Sequence, residues 1–184
     1  MHLAAGTAIA RVGEALPACI LAPLPGAVAR AASVLRAVER AGELEDLTVR
    51  VSGSGLEPLV LAAMVSERGG APVISSADPR VRSRAQRFGA ALVPPPPSEE
   101  AGAGVRLRVT TRRDTGTDVD VPVPDGPPTG TDLDDAVSFI RSPGTRRYPF
   151  ADLIAAPVPL DRLDEAIALA RTGVYLRTSI APGA

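Results

Sequence analysis

Residues 47–70, LTVRVSGSGLEPLVLAAMVSERGG, decide the fold. Leu47 to Val51 is a short β-branched run, Gly53-Ser54-Gly55-Leu56-Glu57-Pro58 is a glycine turn, and Pro58 to Arg68 is an Ala-rich helix that Gly69-Gly70 ends. This is the layout of a G-x-G-x-x-G dinucleotide turn. There the first glycine makes the turn, the second lets backbone approach a pyrophosphate, and the third packs helix on strand. Gly53 and Gly55 supply the first two roles, but Pro58 stands where the third glycine belongs. Glu57 puts a carboxylate in the first helical turn, where a pyrophosphate would meet a like charge. Proline is tolerated near a helix start, so the pattern supports the fold more than the cofactor. If a nucleotide binds, Gly53, Ser54, Gly55 and Leu56 are its expected phosphate contacts.

Outward from this stretch the pattern continues as alternating strands and helices. Ahead of it, Thr7 to Val12 alternates as a short strand, and Ala27 to Ala41 carries Val28, Ala31, Ala32, Leu35 and Val38 on one face of a helix. After it, Pro72 to Ser75 reads as a second strand. A helix follows from Pro79 to Phe88 with Asp78 as N-cap, and Ala90 to Val93 is a third strand. Such a β-α-β-α-β run implies parallel strands. Pro94 to Pro97 and Ser98 to Gly104 form a loop. Val105 to Thr111 and Asp118 to Val123 read as strands able to form a hairpin. Thr131 or Asp132 caps a helix from Leu133 to Arg141, Asp161 caps another across Leu160 to Thr172, and Val174 to Ile180 is a last strand. The fold class expected is α/β, a reduced Rossmann-like parallel sheet flanked by helices, in a single domain of 184 residues.

Composition narrows the chemistry. The formal net charge is -1, which gives no reason to expect nucleic acid or an anionic membrane as partner. All 20 basic residues are arginine, so a lysine Schiff base and a phosphate-loop lysine are excluded. The only histidine is His2 and the only cysteine Cys19, which argues against Ser/His/Asp or Cys/His nucleophile systems and against an internal disulfide. With no run of 18 apolar residues and no signal-peptide pattern, a cytoplasmic location is expected.

Three blocks in order resemble the medium-chain, zinc-type alcohol dehydrogenase family, closest to its phosphonate-catabolism-associated and threonine/sorbitol dehydrogenase-like members. The first runs from His2-Leu3 through Gly6 to Val12, Leu16-Pro17, Ala22-Pro23 and Arg40-Ala41-Gly42. The second is the turn at Gly53 with Arg87-Phe88-Gly89-Ala90. The third is Arg147-Tyr148-Pro149-Phe150, Pro159-Leu160 and the helix Leu163 to Ala170. The resemblance implies that residues 27–171 are the nucleotide-binding-like core and that 1–26 and 172–184 are remnants of a catalytic, GroES-like barrel domain that is otherwise missing. Gly26 stands where the family places a zinc-ligating cysteine, and one histidine with one cysteine cannot supply three zinc ligands, so no zinc is expected. The family's ribose-holding acidic position falls on Ser76. With Arg80 and Arg82 nearby, it is open to reading as a 2′-phosphate site, favouring NADP, or as a solvated helix face. NAD(P) is the only cofactor the resemblance implies.

Three functions follow. One is a truncated, oxidoreductase-related protein with a degenerate NAD(P) core, working with a separately encoded catalytic half. The second is a non-redox cyclase, isomerase or hydratase acting on a small-molecule ligand through Glu57, Asp118 and Asp120. The third is a non-catalytic homodimer joined at the sheet edge. Each carboxylate also has a plainer reading: Glu57 as a dipole-stabilised first-turn acid, Asp118 and Asp120 as a solvated strand edge. The acidic trio Asp132, Asp134 and Asp135 reads as helix capping, Tyr148 as packing, Cys19 as core, and Arg112-Arg113 and Arg146-Arg147 as surface or anion sites.

Overall fold

The computed structural model describes residues 24–95, 108–113, 118–142 and 146–181. The expected strand at Thr7 to Val12, His2, Cys19 and the Ser98 to Gly104 loop lie outside them.

Strand β1 (Leu47–Ser52) is the centre of a five-stranded sheet ordered β3-β2-β1-β4-β5, with β2 at Ala71–Ile74, β3 at Ala91–Leu92, β4 at Arg108–Arg113 and β5 at Val119–Val121. The first three strands are parallel, in register Val49 to Pro72 and Val51 to Ile74, then Ile74 to Leu92. The sheet as a whole is mixed, which corrects the all-parallel expectation. β4 runs antiparallel to β1, Leu47 facing Arg113 and Ser52 facing Arg108, and forms a hairpin with β5. β4 thus starts at the carboxyl edge of the sheet, beside the end of β1, and runs back.

One face of the sheet is the core. Val49, Val51, Ile74, Val109 and Val121 alternate inward and are buried, whereas Arg50, Arg112 and Asp120 on the opposite face are exposed. Helix α1 (Leu24–Glu39) packs on α2 (Glu57–Glu67) and on α4 (Gly130–Arg141), and α2 packs on β1 and β2. Residues 58–65 of α2 are all buried, as its all-round apolar sequence requires. Arg36 of α1 forms an ion pair with the buried Asp132 of α4.

The expected helix from Pro79 to Phe88 is broken into one α-turn, α3 (Pro79–Arg82), and a 3-10 turn, Ala85–Phe88, closed by Gly89 at φ 78°. The break turns Phe88 inward, edge-on to Phe150 at 5.2 Å and stacked with Tyr148 at 5.9 Å, while Phe139 of α4 meets Phe150 at 6.1 Å. All three phenylalanines of the chain share this cluster.

A second unit follows: β6 (Ile154–Pro159), a 3-10 turn (Leu160–Arg162), α5 (Leu163–Arg171) and β7 (Arg177–Ala181), the two strands parallel with a register shift between Ala155 and Val158. The sequence reading missed β6, because Pro157 and Pro159 argue against a strand; a two-stranded sheet has only edges, where proline is tolerated. β7 therefore pairs with β6, and Asp161 does not cap α5, whose N-cap Arg162 makes no side-chain cap bond. The cap of α4 is Thr129 instead of Thr131 or Asp132. Among the described residues no helix is long and apolar enough to cross a membrane.

Candidate functional site: the glycine turn at the carboxyl edge

The turn leaves β1 at its carboxyl end with Gly53 at φ 139° and Gly55 at φ 82°, left-handed values that disfavour a side chain. Leu56, the N-cap of α2, makes no side-chain cap bond, and Pro58 sits in the first turn. Leu56 is fully buried, so only its backbone is available to a ligand, whereas Ser54 is exposed.

The end of β2 folds onto this turn. Ser76 donates its hydroxyl to the Gly53 carbonyl at 2.5 Å and accepts the Asp78 N–H at 3.1 Å. Ser76 is buried and its single O–H is committed to Gly53, so it has no donor left for a ribose oxygen. Asp78 caps α3 by accepting the Arg80 N–H at 2.9 Å, and it binds the Arg80 guanidinium at 3.0 and 2.8 Å. Its side chain is only 8% exposed. Burial pushes the Asp78 carboxyl up, but the Arg80 bonds, the Arg80 charge and the backbone N–H of Gly55 outweigh burial and hold it below the usual carboxylate range. Arg80 is raised by the same pair. Its Nε and Nη2 are bonded to Asp78.

Glu57 adds a second negative charge. Its Oε2 lies 3.2 Å from the place a Cβ on Gly55 would occupy, so the carboxylate folds back over the glycine. The turn that would receive a pyrophosphate therefore has the Glu57 carboxylate folded over Gly55 and the Asp78 carboxylate close by, linked through Ser76 to Gly53. As folded, the turn does not fit a pyrophosphate.

The structure does not join the three carboxylates expected to act together. Asp118 lies on the β4–β5 hairpin, bound to Arg112 at 2.6 Å and within 4.0 Å of Arg50. Asp120 faces Thr110 on the open side of the sheet. Among the described residues no hydrogen bond or ion pair links either to Glu57. Asp132 is structural: it accepts the Thr129 N–H and hydroxyl, each at 2.6 Å, returns its own N–H to Thr129 at 3.3 Å, and pairs with Arg36. Asp135 lies 3.6 Å from the same arginine. Tyr148 donates to Glu67 at 3.0 Å beside the aromatic cluster, so its role is packing.

Two residues beside the turn were missed. Asp78 reads from sequence as a cap two residues beyond the ribose-holding position; nothing local reveals its link through Ser76 to the Gly53 carbonyl. Arg108 sits across from Ser52 at the carboxyl edge with no ion pair among the described residues, and only the β4 register places it there. Comparison with family models, curated proteins and solved structures gives no match.

Proposed function

We propose that this chain is a zinc-less, alcohol-dehydrogenase-like protein with a degenerate NAD(P)-binding core, related to oxidoreductases by its fold and carrying no independent redox turnover. The observation that supports this reading is the pair of carboxylates at the turn: Glu57 folds back over Gly55, and the buried Asp78, held by Arg80, is linked through Ser76 to the Gly53 carbonyl. The β-α-β-α-β order with left-handed glycines at the end of β1 supports the ancestry. The carboxylates at Asp78 and Glu57 account for the loss of affinity. Any hydride chemistry then belongs to a separately encoded catalytic half.

Fluorescence titration with NADH and NADPH tests this. The wild-type chain should show no saturation below about 1 mM. Asp78→Asn combined with Glu57→Leu, which removes both charges and keeps a capping acceptor, should tighten binding by about tenfold or more. Micromolar binding by the wild type, or no gain in the double variant, overturns the reading.

A further inference from the structure

The open face of the sheet gathers positive charge at its carboxyl edge. Ser52, the last residue of β1, is paired with Arg108, the first of β4, and Arg50 is paired with Thr110. Strand alternation puts Arg50, Ser52 and Arg108 on one side of the sheet, away from the buried Val49, Val51 and Val109. Ser52 and Arg108 are direct cross-strand neighbours, with Cβ atoms about 5 Å apart, and Arg50 lies diagonally from Arg108 at a separation that long side chains span. A hydroxyl thus stands between two guanidinium groups.

The carboxylates around them leave both guanidiniums without a hydrogen-bonded counter-ion among the described residues. Arg112 takes Asp118 at 2.6 Å, and Arg50 stays 4.0 Å from the same carboxylate, beyond hydrogen-bond distance. Asp120, diagonal to Arg108 across β4 and β5, makes no ion pair with it. Asp78 is held by Arg80, and Glu57 is folded over Gly55. Like charges side by side on a sheet face repel, and an anion between them removes that cost. Ser52 itself is only 4% exposed, and its hydroxyl makes no hydrogen bond among the described residues. No sealed side-chain oxygen there lacks a partner, so the Ser52 hydroxyl opens to solvent.

We infer that Arg50, Ser52 and Arg108 form a binding site for a small carboxylate. The Arg108 fork holds its two oxygens, Ser52 donates to one of them, and Arg50 supplies the second positive charge. The rest of the ligand lies outside the carboxyl ends of the strands, toward the exposed Ser54. A planar, singly charged carboxylate matches one fork and one hydroxyl, whereas a phosphate dianion carries twice the charge into a region that also holds Asp118 and Asp120. The site does not rest on the nucleotide reading.

Backbone amide chemical shifts of the full chain, followed in titrations with sodium benzoate, benzamide and inorganic phosphate at constant ionic strength, test this. Benzoate should shift the amides of Ser52, Gly53 and Arg108 with half-saturation on the order of 1 mM, and benzamide, its neutral counterpart, should bind at least about tenfold more weakly. Arg108→Gln, at an exposed position, should weaken benzoate binding by about tenfold and Ser52→Ala by about threefold. Arg171→Gln, at an exposed arginine of α5, should leave it unchanged. A wild-type chain with no saturation below about 20 mM benzoate overturns the inference. So does equal binding of benzoate and benzamide, benzoate binding indifferent to Arg108→Gln, or phosphate binding at the same amides more tightly than benzoate. The variants differ from those of the nucleotide titration, so the two readings fail separately.

Discussion

The molecule contains two strand–helix–strand units built on the same parallel plan and buried to opposite degrees. In β1–α2–β2 the helix hides eight of its eleven residues, under α1 on one side and on the sheet on the other. In β6–α5–β7 the helix hides Ala166 alone. The difference lies in sequence periodicity: α2 is apolar around its whole circumference and demands two covering layers, whereas α5 has a single apolar stripe, Leu163, Ala166, Ile167 and Ala170, and one layer to lie on. A supersecondary motif thus fixes chain direction, and the spread of apolar residues around the helix fixes how many neighbours it needs.

The sharpest way to break this comparison is to truncate one anchor in each helix. Leu59→Ala in α2, fully buried, should cost about 3 kcal/mol in urea unfolding. If it costs under about 1 kcal/mol, the first unit is not the core that its burial describes. Next comes the tie between α1 and α4: Asp132→Ala removes the capping box and strands Arg36, with an expected loss of about 2 kcal/mol. The same residue sets a pH dependence. Burial raises the Asp132 carboxyl, but the Thr129 bonds and Arg36 more than compensate and hold it below its usual value. Its contribution is therefore complete above the unfolded value of 3.8 and fades as pH falls through the lower folded value. Unfolding curves from pH 6 to pH 2 should lose this increment in the wild type and lack it in Asp132→Asn; parallel curves would show that the carboxylate contributes nothing.

Gly89→Ala should cost about 1–2 kcal/mol by thermal unfolding, since a Cβ at φ 78° falls 2.7 Å from Ser66 Oγ. Tyr148→Phe, which leaves the ring in the cluster and deletes its bond to Glu67, should cost about 1 kcal/mol. At the bottom stands Ile167→Ala in α5, 42% exposed, with an expected loss of about 0.5 kcal/mol. A loss above about 2 kcal/mol there would mean that α5 is held as firmly as α2, and the contrast between the units would collapse.

The first unit was legible because its signals agree. The β-branched run at Leu47, the glycines at 53 and 55 and the closing Gly69-Gly70 all mark the same boundaries, and α1, α2, β1 and β2 fall within a few residues of their sequence readings. The direction of β4 was not legible, since pairing of strands distant in sequence is decided by where the chain re-enters the sheet, and Val109 alternates equally well in either sense. β6 was hidden by its prolines. In the candidate site the glycine turn was visible, but its closure by Asp78 was not. A carboxylate at a helix start satisfies local capping rules completely, and the link from Asp78 through Ser76 to Gly53 crosses from one strand end to another.

The prolines of β6 carry a further consequence. Pro157 and Pro159 lack the N–H that an incoming strand must find, so the free side of β6 is a poor template for edge-to-edge growth. A two-stranded sheet with bare margins would otherwise invite open-ended stacking of chains into fibres. With that margin blunted, growth from the side of β6 away from β7 has no regular strand edge to follow.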